Sequence, residues 1–224
     1  MQPLRDFTLG LTPSARVLDV GCWDASYRRK AVEWGRNDLI HSGVDRETPP
    51  GTLPEGFDFK IAALDRDPFP FESSTFDAVI LSHVLEHLPD PLRPVGEAFR
   101  VLKPGGQVYV ETPSERSLWF PSMPFGHEQA RSLSFFDDPT HVGRPQTPQS
   151  LFRLFTMFGA RPIAARRIVF RSVLFKSPWL LVRALVTRNA ALLESTLWRG
   201  FGFAVYGIAE KQGERERRYV LPTS

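Results

Sequence analysis

The sequence predicts an α/β fold built on a doubly wound, mostly parallel sheet. Short apolar segments alternate with amphipathic helical segments, which is typical of parallel strands whose faces are covered by helices. The first apolar segment ends in a glycine turn, and a helical pattern follows at once. A chain of 224 residues is long enough for one such domain with a full core and short for two. We therefore expect a single domain over residues 1–224.

Composition and charge narrow the classes of function. The net charge of +3 is too small to predict nucleic-acid binding, although an attraction to anionic membranes or phosphorylated substrates stays open. The single cysteine, Cys22, excludes an intramolecular disulfide and favours a reducing compartment. The sequence shows neither a signal-peptide pattern nor an apolar run long enough to span a membrane. We expect a cytoplasmic protein.

The glycine turn occupies residues 21–25, between an apolar strand at 16–20 and a helix that begins at Ser26. Such a junction places free backbone N–H groups and the positive end of a helix dipole at the carboxyl edge of the sheet, where a polar or anionic ligand can bind. A dinucleotide-binding turn would require a second glycine at Trp23 and a third at Ser26, so a nicotinamide cofactor is disfavoured. By itself the junction could equally be an ordinary α/β turn.

The following strands and helices can be assigned in order. Further strands are predicted at 40–44, 57–64, 78–81 and 107–112. The helix before the last of these has an apolar stripe on Leu92, Val95, Phe99 and Leu102. Asp45 follows the second strand, and a carboxylate at that place can accept two hydrogen bonds from ribose hydroxyls. The alternative for Asp45 is a turn residue at the strand end.

Residues 17–25 resemble motif I of the class I S-adenosylmethionine-dependent methyltransferases, written apolar-Leu-Asp-apolar-Gly-x-Gly-x-Gly. Asp19 and Gly21 match this motif, whereas Trp23 and Ala25 stand at the second and third glycine positions. Trp23 is expected either to face the sulfonium as a cation–π partner or to fill the space that the missing glycine leaves.

Two later segments carry the same resemblance with more specific motifs. Residues 69–91 match the family's loop, its fourth strand and the following turn, which here is His-Val-Leu-Glu-His-Leu-Pro-Asp-Pro. Residues 99–106 match the helix end and the turn before the fifth strand. The resemblance covers residues 16–113. It implies a Rossmann-like sheet of seven strands with an antiparallel last strand, and S-adenosylmethionine as the cofactor.

The resemblance also implies the residues that bind this cofactor. The family's acidic residue for the adenine amino group falls on Ala63, so Asp65 or the backbone of Leu64 is expected to replace it. The full expected set is Asp19, Gly21, Cys22, Trp23, Asp45, Arg46, Leu64, Asp65, Ser82 and His83.

Residues 113–147 interrupt the alternation with a long loop that is rich in aromatic residues and proline. Loops of this length are usually functional or disordered, and the aromatic residues favour a functional one, so we expect it to cover the substrate. Residues 137–142 are similar to methyltransferases encoded with polysaccharide biosynthesis. This likeness implies a small-molecule or glycan acceptor, with O-methylation of a sugar hydroxyl as the leading hypothesis, because the fold itself does not determine the acceptor.

The catalytic candidates are histidines. Methyl transfer from a sulfonium is an in-line displacement, so the protein must align the reactants and remove a proton. His83, His87 and His141 are the candidate bases, since the pKa of imidazole lies near the working pH. His87 and His141 are the expected ones, with a loop-packing turn residue as the alternative for His87 and substrate binding as the alternative for His141, whereas His83 is expected to contact the cofactor or a backbone carbonyl. Asp137, Asp138 and His141 could offer metal ligands, but an acidic loop beside a proline is more often a turn. We expect no metal.

The C-terminal third completes the predicted domain. Its expected elements are a helix at 151–158, a strand at 163–170, a helix at 178–198, a strand at 201–209 and a loose charged tail at 211–224. The expected division is a cofactor-binding half at 16–112, the insertion at 113–147, the remaining elements at 148–210 and the tail. The broad apolar face of the helix at 178–198 is expected to pack on the domain or on a second protomer, with peripheral membrane contact as the alternative.

A non-catalytic function is the second hypothesis. Because motif I lacks two glycines, the chain could be a degenerate methyltransferase fold that acts as a binding or scaffold protein. Asp45 and the histidine-bearing loop favour the enzyme.

Overall fold

The structure is a computed structural model that describes residues 2–49, 51–120, 122–126 and 131–213. Its strands are β1 (Arg16–Val20), β2 (Ile40–Asp45), β3 (Asp58–Ile61), β4 (Phe76–Ser82), β5 (Leu102–Pro113), β6 (Arg161–Arg167) and β7 (Ala204–Glu210). Its α-helices are α1 (Pro3–Leu9), α2 (Ser26–Glu33), α3 (Leu92–Val101), α4 (Pro148–Met157), α5 (Arg171–Val186) and α6 (Ala190–Phe201). Short 3₁₀ turns occur at Leu85–His87, Glu115–Leu118 and Phe135–Asp137.

The seven strands form one sheet in the order β3-β2-β1-β4-β5-β7-β6. The first five strands pair in parallel, whereas β7 runs antiparallel to both β5 and β6. This confirms the predicted doubly wound, Rossmann-like sheet, including its antiparallel last strand.

Apolar side chains cover both faces of the sheet. On one face, Val95 and Phe99 of α3 and Phe155 of α4 belong to one buried cluster with the strands. On the other face, Phe7 of α1 packs against Tyr109 of β5, with ring centroids 5.3 Å apart. The central strands are therefore buried on both sides, which explains their nearly continuous apolar sequences.

The described part of the insertion packs on α6. Met123 and Leu133 share a buried cluster with Leu193 and Leu197. The Trp198 indole also donates a hydrogen bond to the Ser132 carbonyl at 3.0 Å. These contacts hold the insertion near the carboxyl end of β5, from which it departs.

The helix predicted at 178–198 is two helices, so this prediction is wrong in its boundaries. α5 begins at Arg171, which places Pro178 inside the helix. Proline removes the backbone bond to the Leu174 carbonyl, and the Ser177 hydroxyl donates to that carbonyl instead, at 2.7 Å. The chain then breaks before α6, because the Asn189 side chain accepts the Leu192 N–H at 2.9 Å as an N-cap.

Several strand boundaries also differ from the prediction. The strand predicted at 57–64 is confined to β3, and the strand predicted at 163–170 ends at Arg167. The strand predicted from residue 201 begins only at Ala204, because α6 continues to Phe201 and Gly202 ends it with a φ of +71°. Residues 214–224 of the predicted tail lie outside the described residues. Within the described ranges, no helix combines the length and the apolar character that crossing a membrane requires.

Candidate functional site

The parallel pairing brings four strand ends to one edge of the sheet. Val20 pairs with Val44 of β2 and with Leu81 of β4, and Ser82 pairs with Glu111 of β5. The residues that follow these strands therefore lie side by side, and most of the residues expected to bind the cofactor are among them.

The glycine turn keeps its backbone conformation although two glycines are replaced. Gly21, Trp23 and Ala25 have φ values of +70°, +44° and +58°. Glycine is needed at position 21, since a Cβ there would lie 2.7 Å from Cγ2 of Val84. Trp23 is 52% exposed, so its indole is only half covered by the rest of the chain.

Asp45 is tied to this turn. Its Oδ2 accepts the Trp23 backbone N–H at 2.8 Å, and its Oδ1 accepts the Arg46 N–H at 2.7 Å. Each carboxylate oxygen keeps a second lone pair for a ligand hydroxyl. The Arg46 side chain turns to solvent beside Glu47, with Nε and Oε1 3.2 Å apart. The Cys22 side chain is buried against Gly43, so only its backbone is available to a ligand.

Asp19 is a buried acid without a hydrogen-bonded partner among the described residues. It lies on β1, two residues before Gly21 of the glycine turn, and is only 5% exposed. Burial, followed by the negative charge of Asp45, raises the pKa of Asp19 to about 8. A cation placed against this carboxylate would favour its charged form.

The turn after β3 is held by an acidic residue that the sequence analysis missed. Oδ2 of Asp67 accepts the Ala63 N–H at 2.9 Å. Asp65 instead lies beside the exposed Arg66, with Oδ1 and Nε 3.7 Å apart, and Leu64 is buried. An acidic residue directly before Pro68 is the signal that could have identified Asp67 as a turn residue.

His83 follows β4 and lies between two glutamates. Its Nδ1 is 2.9 Å from Oε1 of Glu86, and its Nε2 is 3.6 Å from Oε1 of Glu111. Burial opposes the charged imidazole, but the hydrogen bonds and charges of Glu111 and Glu86 outweigh it and raise the pKa of His83 to about 10. The Tyr109 hydroxyl donates to Glu111, and the Thr112 hydroxyl donates to Glu86 at 2.9 Å.

A pocket of about 460 Å³ opens beside this network. The strand ends contribute Ser82, His83 and Glu111 to its lining. Its cationic lining residues are Arg5, Lys30 and Arg199, and its aromatic lining residues are Trp34, Phe170 and Trp198. The pocket therefore combines hydrogen-bonding groups, positive charge and aromatic rings in one space. Glu111 and the three cations were not among the predicted site residues, although an acid at the end of a parallel strand is a recognisable signal.

The two expected bases, His87 and His141, are brought together by the fold. Their ring centroids are 4.9 Å apart. His87 Nδ1 lies 2.9 Å from the Thr140 hydroxyl, and His141 Nδ1 lies 2.7 Å from the Phe135 carbonyl. Neither ring lines the pocket, whereas His83 does.

Comparison with known proteins shows which family the sequence matches. A family described as a methyltransferase domain matches residues 1–165. A ubiquinone biosynthesis O-methyltransferase of Xylella fastidiosa is 34% identical over 104 residues, which are 44% of this chain and 42% of that protein. A sterol 24-C-methyltransferase of Schizosaccharomyces pombe is 32% identical over 108 residues, covering 45% of this chain and 28% of that one. The chain thus spans less than half the length of these curated relatives.

Solved structures share the fold over nearly the whole chain. An S-adenosylmethionine-dependent methyltransferase from Archaeoglobus fulgidus has a TM-score of 0.61 at 21% identity, covering 93% of this chain and 91% of that one. A geranyl diphosphate methyltransferase, in complex with GPP and sinefungin, has a TM-score of 0.62 at 17% identity, with 94% and 76% coverage. At these identities the likeness concerns the fold alone.

Proposed function

The chain belongs to the methyltransferase domain family, and we propose that it transfers the methyl group of S-adenosylmethionine to a hydroxyl oxygen of a small acceptor that carries an anionic group. The family and the fold imply S-adenosylmethionine as the cofactor. The single observation that supports an anionic acceptor is the pocket beside His83 and Glu111. Arg5, Lys30 and Arg199 line this pocket together with three aromatic rings.

The residues at the strand ends fit this cofactor. The left-handed conformations at Gly21, Trp23 and Ala25 preserve the open backbone of a glycine-rich turn. The buried Asp19 has a pKa raised to about 8 and would be stabilised as a carboxylate by the cofactor's ammonium group. Asp45 would accept the ribose hydroxyls with its remaining lone pairs.

Transfer of a methyl group to a hydroxyl oxygen requires a group in the pocket that removes the hydroxyl proton. When bound, the cofactor supplies an electrophilic methyl group. We assign removal of this proton to Glu111, because its carboxylate lines the pocket and is oriented by the Tyr109 hydroxyl. His83 lies on the other side of this carboxylate and would hold the acceptor oxygen by a hydrogen bond. Proton removal by His87 or His141 is the alternative that the sequence suggested.

A sugar hydroxyl remains our leading acceptor, and the pocket supports it in two ways. Trp34, Phe170 and Trp198 offer apolar ring faces against which a sugar ring can pack, and the three cations suit a phosphate attached to that sugar. A phosphorylated or lipid-linked glycan precursor combines these features. The relatives, a ubiquinone biosynthesis O-methyltransferase and a sterol 24-C-methyltransferase, favour a second candidate, an apolar acceptor such as a ubiquinone precursor or a sterol.

Membrane contact would suit a lipid-linked acceptor, and we propose that α5 provides it. Phe175, Trp179, Val182 and Val186 lie along one face of α5, and all are exposed, Phe175 to 88% and Val186 to 78%. Residues 139–193 contain nine arginines and lysines and no aspartate or glutamate. An exposed apolar stripe within such a basic segment is complementary to an anionic membrane surface. We place the reaction in the cytoplasm, since the only cysteine is a free, buried thiol.

An assay with labelled S-adenosylmethionine tests this function. We expect the protein to bind the cofactor and to methylate a phosphorylated sugar or a polyprenyl-linked sugar. Transfer only to a prenylated phenol or a sterol would favour the second candidate. A protein that fails to bind the cofactor in calorimetry would instead be the non-catalytic scaffold.

A further inference from the structure

We propose that Glu86, His87 and His141 form a binding site for a divalent transition-metal ion. One ligand atom from each of the three residues lies within 4.8 Å of the others. Two imidazoles and a carboxylate are a ligand set typical of zinc and of iron(II), and imidazole and carboxylate groups also bind manganese. From the sequence, His141 is a candidate ligand only together with Asp137 and Asp138, and no metal is expected because an acidic loop beside a proline is more often a turn. The fold places His141 beside the turn that follows β4.

The hydrogen bonds of both histidines leave the same nitrogen free. The Phe135 carbonyl can only accept, so Nδ1 of His141 donates to it at 2.7 Å. The Thr140 hydroxyl donates its single proton to Oδ1 of Asp138 at 2.6 Å, so it must accept from Nδ1 of His87 at 2.9 Å. In both neutral rings Nε2 is therefore the unprotonated nitrogen. A ring whose other nitrogen donates to an oxygen is the usual state of a metal-binding histidine.

A further carboxylate oxygen lies close to the two imidazole rings. The imidazole centroids of His87 and His141 are 4.9 Å apart. Oδ2 of Asp138 lies 3.7 Å from Nε2 of His141, within reach of an ion bound there. The side chain of His141 is only 9% exposed, so an ion at its Nε2 would be largely shielded from water.

Glu86 is fixed before any ion binds. It is 1% exposed, and its two oxygens accept from His83 Nδ1 and the Thr112 hydroxyl, each at 2.9 Å. Each oxygen retains a second lone pair. Because these hydrogen bonds hold the carboxylate in place, it can serve as a ligand with little loss of side-chain freedom.

The ligands come from two segments that already touch. Gly143 of the insertion donates its N–H to the Glu86 carbonyl at 2.9 Å. A Cβ on Gly143 would lie 2.7 Å from the Leu85 carbonyl oxygen, so only glycine permits this approach. An ion would therefore fasten the insertion to the turn after β4, next to His83 of the pocket. Its use in methyl transfer rests on the proposed function, but its binding does not.

Metal titration of the unliganded protein tests the site. After dialysis against a chelator, Zn²⁺ and Mn²⁺ are added in calorimetry, and bound metal is counted by atomic emission. We expect one ion per chain. Loss of a group that only hydrogen-bonds to a metal ligand lowers metal affinity by about 10–100-fold. Loss of a ligand itself, in His87→Ala or in His141→Ala, should therefore weaken binding by at least about tenfold. The matched control is Asp58→Asn, an exposed carboxylate on the edge strand β3, which should bind as the unaltered chain does.

A second measurement needs no variant. Substoichiometric Mn²⁺ should broaden the ring proton signals of His87 and His141 in the unaltered chain more strongly than those of His41, which is buried at the opposite end of β2. Absence of stoichiometric binding, equal affinity in both histidine variants, or equal broadening of all three rings would overturn the proposal. Because neither measurement uses an acceptor, a failed methyl-transfer assay would leave the metal result intact.

Discussion

The backbone N–H of Trp23 donates to Oδ2 of Asp45 at 2.8 Å, which joins the glycine turn after β1 to the end of β2. The bond holds Trp23 at a φ of +44°, a region that residues other than glycine rarely adopt. The turn thus keeps a glycine-like shape through a carboxylate, and that same carboxylate is the expected ribose ligand.

Replacing Trp23 by glycine should stabilise the protein. A left-handed conformation costs a residue with a Cβ about 1–2 kcal/mol, while the half-exposed indole has little packing to lose. A gain of about 1 kcal/mol raises the melting temperature of a chain of this size by about 2–4 °C. Trp23→Ala is the control, because it removes the indole but keeps the Cβ. Equal melting temperatures for the two variants would show that the turn is not strained.

Asp45→Ala should weaken S-adenosylmethionine binding by about 1.5–3 kcal/mol, the range for hydrogen bonds to a charged group. Calorimetry measures the change, and Arg46→Ala should have little effect, because that side chain is directed to solvent. Unchanged affinity in Asp45→Ala would mean that the ribose lies elsewhere.

Cofactor affinity should depend on pH through Asp19. Because the pKa of Asp19 is raised to about 8, this acid is mostly protonated near neutral pH and must release its proton to meet an ammonium group. Affinity should therefore fall as the pH drops below about 8, by up to tenfold per unit, which can be measured between about pH 6.5 and 7.5. The fall should vanish in Asp19→Asn, which carries no charge to lose. The same pH dependence in both proteins would remove Asp19 from the assignment.

Glu111→Gln should lower the rate of methyl transfer by about 10²–10⁴, as expected when a general base is lost. Cofactor affinity should stay nearly unchanged, since Glu111 lines the pocket and not the glycine turn. The comparison is the His87→Ala/His141→Ala double variant measured with the same acceptor. If the double variant loses methyl-transfer activity and Glu111→Gln retains it, a histidine and not Glu111 removes the acceptor's proton.

Polar substitution of the α5 face should release the protein from membranes. Flotation with anionic vesicles at low salt should carry the unaltered chain upward, and Phe175→Ser/Trp179→Ser should remain below, because the stripe no longer enters the interface. Ile61→Ser is the matched control, an exposed apolar residue on β3 at the other edge of the sheet. Failure of the unaltered chain to float would end the membrane proposal. If the unaltered chain is a dimer in gel filtration and the α5 variant is a monomer, a second protomer and not a membrane covers this face of α5.

Local patterns in the sequence predicted the sheet well. The mostly apolar segments that became β1 and β4 are almost entirely buried, so their composition alone identifies them. The C-terminal helix was harder, because Pro178 is a start signal by sequence and becomes an interior residue only when Ser177 satisfies the freed carbonyl. Such compensation is a contact of the folded chain and leaves no periodic pattern.

The sequence by itself determined the family resemblance, the glycine turn and Asp45, since each depends on residues close together along the chain. Only the tertiary structure placed Glu111 and Arg199 in one pocket and brought His141 against Glu86 and His87. These residues come from strands, helices and an insertion that are far apart in sequence. Their proximity follows from the order of the parallel strands and from the close approach at Gly143, which no local pattern of residues encodes.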